Sequence, residues 1–359
     1  MIVFFHLYND RSGSPKVLLQ TIRALSKAGY EVETLTSDHL GGFLDNVPGV
    51  KREIFYRRFD NKIATLACFL LTQINIFFKS FQYINKDAVF HINTMLPFGA
   101  ALAGWIMRKK IIYHIHETSV KPALLKRLLR FFISLTATRV IFVSKFLSDE
   151  ESFLNKNNVV IYNSTDFIPK EKALHSRRYL KVLMVCSLKE YKGVNEFLDL
   201  AKKFDKLDEP FKFTLVLNSN EEEIGKYFFD FNIPSNLSII PRQSNLATYY
   251  ENSDVLLNLS RPDQCIETYG LTIVEGMSYG LPVIVPPVGG PKELVEDGVQ
   301  GYLESCYEID KISSYIMRLN SEPELYKELS LNARKRSLDF SPEVYEKKIV
   351  DFYSREIFK

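Results

Sequence analysis

The chain has 359 residues, 46% of them hydrophobic, which is long for one core and comfortable for two domains. Lys and Arg number 46 against 43 Asp and Glu, and a formal net charge of +3 gives no case for a nucleic-acid partner. The cysteines at positions 68, 186, 265 and 306 form no CxxC pair, so they suit a reducing compartment and suggest neither a structural metal nor a disulfide scaffold.

Residues 2–7 read as a buried first strand. They lack the basic leader and small-residue cleavage site of a signal peptide. Asp10-Arg11-Ser12-Gly13-Ser14-Pro15 breaks the strand. A helix follows, with Leu18, Ile22 and Leu25 on one face and Gly29 at its end. Further strands are expected at 31–36, 88–92, 111–114 and 139–143, with helices between most of them. Residues 63–78 carry Thr65, Thr72, Gln73 and Asn75 and read as a nearly buried helix. Residues 95–107 are apolar but short for a membrane span, and they hold Pro97. Residues 121–133 set Lys126, Arg127 and Arg130 among leucines and phenylalanines. That suits either a helix lying on an anionic membrane or a core helix with solvated cations.

Residues 159–162 form a last short strand, 163–166 a turn, and the polar, basic stretch 169–178 an interdomain linker. A second series then begins, with strands at 180–186, 212–217, 236–240, 255–259 and 282–285. Its helices fall at 194–204, 221–229, 245–251, 271–279 and 292–297. The alternation predicts two α/β domains in series, each a mostly parallel sheet covered by helices. Ligands of such domains gather at the carboxyl ends of the strands.

Several segments carry chemistry. Gly13 lets the backbone turn tightly before a helix N-terminus that could receive an anion or a sugar hydroxyl, although a glycine-bearing turn needs no function. His114 and His116 fall on one side of a strand near its carboxyl end. His114 suits a structural role, His116 is the better active-site candidate, and no further ligand supports a metal. Lys192, beside Gly193 and ahead of a helix, is placed to meet a phosphate or simply to be a solvated loop lysine. The strongest segment runs from Ser260 to Gly280. Glu267 precedes a helix, Tyr269-Gly270-Leu271 opens it, and Glu275 lies on it. Amides at such a helix start suit a diphosphate, and an ionised carboxylate suits a ribose diol or sugar hydroxyls. Two glutamates there would equally suit a salt-bridge network.

The pattern Glu267-x7-Glu275, within Glu-Thr-Tyr-Gly-Leu-Thr-Ile-Val-Glu-Gly-Met-Ser-Tyr-Gly-Leu-Pro, resembles the hallmark of glycosyltransferase family four. Gly289-Gly290-Pro291, Ser12-Gly13-Ser14, His116-Glu117, Tyr162-Asn163 and Lys192-Gly193 match the same family in order. The resemblance implies a GT-B fold: two Rossmann-like α/β/α domains facing each other across a cleft. An acceptor-binding domain would span 1–168, with the helix at 343–359 returning to it, and a donor-binding domain would span 175–342. It also implies a retaining transferase that uses a nucleotide diphosphate sugar, UDP-linked by family habit, with no catalytic metal and no tightly bound cofactor.

Carried over by position, Lys192 would bind donor phosphate, Glu275 the ribose, and Glu267 the donor sugar. Tyr269, Gly270 and Leu271 would hold sugar and phosphate through their backbone. Gly13 and Ser14 would close over the donor, and His116 would lie beside the transferred sugar. Where the family has a phosphate-binding arginine this chain has Ser187, with Lys189 or Arg261 as candidate substitutes. Asn218-Ser219-Asn220 and Pro241-Arg242 depart from the family near the expected nucleobase. The acceptor would be a saccharide or lipid-linked saccharide of envelope polysaccharide, lipopolysaccharide or glycolipid assembly. The enzyme would then be cytoplasmic, at the inner face of the membrane, with peripheral contact through 121–133. An inactive nucleotide-sugar-binding protein, and an epimerase or phosphorylase of the same fold, are the competing readings.

Overall fold

The computed structural model describes residues 1–39, 41–153, 157–166, 180–207 and 211–358. The linker expected at 169–178 lies outside them. The chain divides into two units, Met1–Asn163 with Glu343–Lys359, and Ser164–Pro342.

In the first unit, strands and helices alternate as β1 (Ile2–Phe5), α1 (Gly13–Lys27), β2 (Val32–Ser37), β3 (Val50–Ile54), α2 (Lys62–Ser80), β4 (Val89–Asn93), α3 (Phe98–Ile106), β5 (Lys110–Ile115), α4 (Ala123–Thr136), β6 (Arg139–Phe142), α5 (Lys145–Glu150) and β7 (Asn157–Val160). The sheet order is β3-β2-β1-β4-β5-β6-β7, and every pairing is parallel. β1, β2 and β4 are buried along their whole length; β1 is apolar throughout, whereas β2 and β4 also bury Glu33, Thr34, Thr36, Ser37, His91 and Asn93. β3 was not anticipated. Its sequence Val-Lys-Arg-Glu-Ile is that of a charged, solvated edge strand with little apolar signal.

The two faces of this sheet are covered differently. Phe90 on β4 faces α3, where a side chain at Gly104 would collide with its ring. His91, the next residue, points the other way, and its Nδ1 lies 2.6 Å from the Tyr353 hydroxyl. Tyr353 follows the last helix of the chain, Pro342–Phe352. That helix also bonds α1, with the Tyr345 hydroxyl 2.6 Å from Thr21 Oγ1 and Lys27 Nζ 2.9 Å from Glu346.

One expectation fails here. The helix at 63–78 is not nearly buried, because Ile63, Leu71 and Phe78 are 78%, 67% and 68% exposed. Its covered stripe instead holds Thr72, Gln73 and Ser80 beside Cys68, Phe69 and Ile76. These polar groups bond locally: the Thr72 hydroxyl donates to Phe55 O at 2.8 Å, and Gln73 Oε1 accepts from the Gly99 N–H at 3.0 Å. Apolar composition says that a helix wants cover, but it does not say which side its own domain covers.

The second unit contains β8 (Leu180–Cys186), α6 (Val194–Asp205), β9 (Phe211–Leu217), α7 (Glu221–Tyr227), β10 (Leu237–Ile240), α8 (Ala247–Glu251), β11 (Val255–Leu257), α9 (Leu271–Ser278), β12 (Val283–Val285), α10 (Pro291–Leu294), β13 (Gly301–Leu303), α11 (Ile309–Ser321) and α12 (Pro323–Ser337). Its parallel sheet runs β10-β9-β8-β11-β12-β13. The core joins β8, β9 and β11 to Phe197, Phe204 and Ile312 from the helices that cover them. The order reverses at β8, so the loops after β8 and β11 lie side by side at a switch point, where such sheets place ligands.

Tyr353 is fully buried and carries a hydrogen bond to a buried histidine. Tyr353→Ala should destabilise the first unit by about 3–5 kcal/mol, the usual cost of deleting a buried aromatic ring, read by urea unfolding. Wild-type stability in that variant would contradict the docking described for the C-terminal segment.

Candidate functional site

In the second unit the site is built at the ends of β8 and β11. After β8, a single helical turn, Glu190–Lys192, presents Lys192, and Gly193 then opens α6 with φ +80°. A Cβ at Gly193 would lie 2.1 Å from the Leu259 carbonyl oxygen, so only glycine lets the turn sit this close to the chain leaving β11. The Arg261 N–H donates to Tyr191 O at 2.8 Å and ties the same two segments together. Lys192 Nζ is thereby brought to 2.5 Å from Glu267 Oε2, a half-buried ion pair. Burial pulls the Lys192 ammonium down, but the Glu267 carboxylate outweighs it and holds the group above the ordinary lysine range.

Glu267 is fixed from behind. The Gly290 N–H donates to Glu267 O at 2.9 Å, and a Cβ on Gly290 would lie 2.4 Å from Thr268 O, inside any tolerable contact. Gly270, with φ 103°, is the N-cap of α9 and has no side chain to offer that helix's first-turn N–H groups. The Tyr269 side chain is buried against Phe340, which leaves its backbone as its contribution to the site. Leu271 is the first residue of α9. Glu275 is buried on the same helix, and the Tyr250 hydroxyl donates to its Oε2 at 2.7 Å. Tyr250, fully buried and stacked on Tyr279, was not foreseen. It sits on the short helix α8, far from any motif.

The expected substitutes for the missing arginine behave differently. Arg261 does not carry spare charge: its Nε donates to Glu196 at 2.7 Å and its Nη1 to Glu190 at 2.9 Å. It clamps the Lys192 turn and α6 to the segment after β11, so any contact of Arg261 with phosphate would compete with Glu190 and Glu196. Ser187 turns the chain after β8, its carbonyl accepting from the Lys189 N–H at 2.8 Å, and Lys189 is exposed. Arg242 binds Asn218, Nε to Oδ1 at 2.7 Å, and its N–H donates to Ser219 O, which joins the two departures noted in the sequence. Burial pushes the Cys186 thiol up to about 12, with Lys192 opposing and Glu267 reinforcing, so Cys186 stays a neutral thiol beside the ion pair at neutral pH.

In the first unit a second constellation forms at the ends of β1, β4 and β5. Asn93 is its hub, and no sequence motif marks it. Its Nδ2 reaches His6 Nδ1 at 3.1 Å and Ser14 O at 3.3 Å, and its Oδ1 lies 2.9 Å from His116 Nε2. The network assigns the proton of His116 to Nε2. Gly13 and Ser14, at the start of α1, are thus tied to His116, with Gly13 exposed. Burial, followed by His114, His6 and His91, holds the His116 ring well below the ordinary histidine range. It is a neutral hydrogen-bonding group at pH 7. Glu117 accepts the Met95 N–H at 2.9 Å and the His116 N–H at 3.2 Å, and burial raises its carboxyl to about 7. His114 is fully buried between the His91 and His116 rings. Among the described residues neither of its ring nitrogens has a hydrogen-bond partner. No set of three or more His, Cys, Asp or Glu converges on a metal position among the described residues.

A model of the group 1 glycosyl transferases matches residues 166–336, and a model of glycosyltransferase family 4 matches residues 11–167. Over 271 residues the chain is 28% identical to an uncharacterized glycosyltransferase of Methanocaldococcus jannaschii, covering 72% of this chain and 73% of that one. Over 275 residues it is 26% identical to N-acetyl-alpha-D-glucosaminyl L-malate synthase of Bacillus anthracis, covering 70% of each. Among solved structures, Anabaena HepE in complex with UDP and glucose matches with a TM-score of 0.80 at 18% identity, over 99% of both chains. The fold is GT-B.

Burial lowers the His114 pKa from 6.5 to about 3, so the unfolded chain takes up this proton at a higher pH than the folded one. The stability it protects is complete above pH 6.5 and is lost as pH falls toward about 3. His114→Phe should keep the ring packing and make the melting temperature less acid-sensitive across that window. An unchanged pH profile would contradict the neutral, buried assignment.

Proposed function

Because the chain belongs to the group 1 glycosyltransferases, we propose that it moves one sugar from a UDP-linked donor to an acceptor hydroxyl, with retention of configuration. The observation that carries this reading is the Lys192–Glu267 pair, with Glu267 just ahead of the α9 N-terminus. Departure of the sugar leaves growing negative charge on the diphosphate. Lys192 and the first-turn amides of α9 answer that charge as it develops, which lowers the barrier rather than merely tightening binding. Glu267 orients donor-sugar hydroxyls, and its hold on Lys192 keeps the ammonium charged until the phosphate competes for it. Glu275 takes the ribose diol, with Tyr250 fixing the carboxylate's orientation. His116, neutral and protonated at Nε2, positions a hydroxyl and does not serve as a cation.

For the acceptor we favour a lipid-linked saccharide of surface-glycan assembly, handled on the cytoplasmic side of a membrane. The exposed apolar residues of α2 and α4 support a lipid-linked acceptor, and the free cysteines support a reducing compartment. One observation favours a second reading. With serine at 187 and Arg261 engaged by two glutamates, the phosphate grip has less fixed charge than the family pattern supplies, as an inactive nucleotide-sugar-binding protein would have.

A nucleotide-sugar panel, read by nucleotide diphosphate release in the presence of candidate acceptors, separates the two readings. Turnover supports the transferase, and tight binding without turnover supports the binder. Lys192→Ala should lower kcat/KM by about 100-fold or more. Glu275→Gln should weaken donor binding by about tenfold, the cost of a charge-assisted hydrogen bond. Tyr250→Phe should raise the donor KM more than it lowers kcat. Unchanged donor affinity and turnover in the Lys192 and Glu275 variants would sink the assignment.

A further inference from the structure

The first unit wears part of its apolar surface on the outside. Along α2 the residues turned from the domain are Ile63, Leu66, Leu70, Leu71, Ile74 and Phe78, a continuous stripe at helical spacing. Its inward stripe is the more polar one, so the usual amphipathic order is reversed. α3 packs against both α2 and α4, and Phe98 joins them, its ring 5.9 Å from Phe69 and stacked at 4.6 Å on Phe132. α4 continues the outer surface with Leu124, Leu128 and Phe131. A monomeric soluble domain rarely leaves so many large apolar side chains together in water.

Charge identifies the cover. Residues 61–136 contain ten Lys and Arg but only two carboxylates, Asp87 and Glu117, in a chain whose total is 46 Lys and Arg against 43 Asp and Glu. The helices α2, α3 and α4 contain no Asp or Glu at all. Lys126 and Arg130 are taken up by Glu151. Arg127, in contrast, is exposed on the same stripe as Leu124 and Leu128, and Lys62 and Lys121 are exposed at the starts of α2 and α4. An apolar face fringed by cations and free of carboxylates suits an anionic bilayer surface, where side chains enter the headgroup boundary and cations meet lipid phosphates.

We propose that the α2–α4 face of the first unit docks the protein on an anionic bilayer, lying in the interface rather than crossing it. By length and composition the helix from Lys62 to Tyr83 could span a membrane. However, Thr72 and Gln73 hold it to its own domain through bonds to Phe55 and Gly99, and a spanning helix would have to surrender them. The surface extends the sequence expectation, which had named only 121–133. It adds to the proposal of a lipid-linked acceptor, but it is tested without donor or acceptor, so either claim can fail alone.

The test uses the full chain and vesicles of phosphatidylcholine with or without phosphatidylglycerol, read by flotation at low and high salt. The wild-type protein should float with the anionic vesicles, and less so at high salt. Leu70→Glu with Ile74→Glu should weaken flotation by about tenfold or more, and Arg127→Glu by a smaller factor. Both variants alter exposed side chains, and thermal melting should match wild type. Failure of the wild type to float would overturn the proposal, as would equal flotation by the α2 variant. So would a lipid-free dimer in sedimentation velocity that the α2 substitutions dissolve, since a second copy would then be the cover.

Discussion

The ion pair between Lys192 and Glu267 organises the second unit. Two loops from adjacent strands must meet within hydrogen-bond distance, and the surrounding sequence is arranged to make that approach possible. Gly193 removes the side chain that would strike the Leu259 carbonyl, and Gly290 does the same against Thr268. Arg261 binds Glu190 and Glu196 and so holds the two loops in register. A half-buried ammonium is costly without a partner, and the carboxylate offsets that cost. What remains is a charged pair that a diphosphate can rearrange without first creating a cation.

The same arrangement limits the site. A guanidinium grips phosphate as a rigid fork, whereas an ammonium acts as a point charge on a flexible stem. With serine at position 187 and Arg261 bound to Glu190 and Glu196, Lys192 is the cation that the two loops set against Glu267. Under the proposed function, more of the phosphate grip then falls to backbone amides at the start of α9, whose direction is fixed by the helix.

The alternation of strands and helices was legible because it is carried by residues near one another in sequence. β1, α1, β8 and α9 fall close to their expected spans. β3 was hidden because its outward charges mask the strand pattern. β13, only three residues long, offers little periodicity to read. The Glu267 and Lys192 motifs named their residues but not their mutual pairing. Partners separated by scores of residues are set by topology, and so the Arg261 clamp, the Asn93 hub and the Tyr250–Glu275 bond were unreadable. The reversed face of α2 was missed for a related reason, since composition reports how apolar a helix is and not what lies against each side.

The central claim is that Lys192 and Glu275 belong to one donor site. It is tested most directly by a crystal structure of the protein with bound UDP. The account predicts the Lys192 ammonium on a phosphate oxygen and the Glu275 carboxylate on the ribose hydroxyls. A nucleotide bound elsewhere, with Lys192 still paired only to Glu267 and Glu275 out of reach of the ribose, would contradict it.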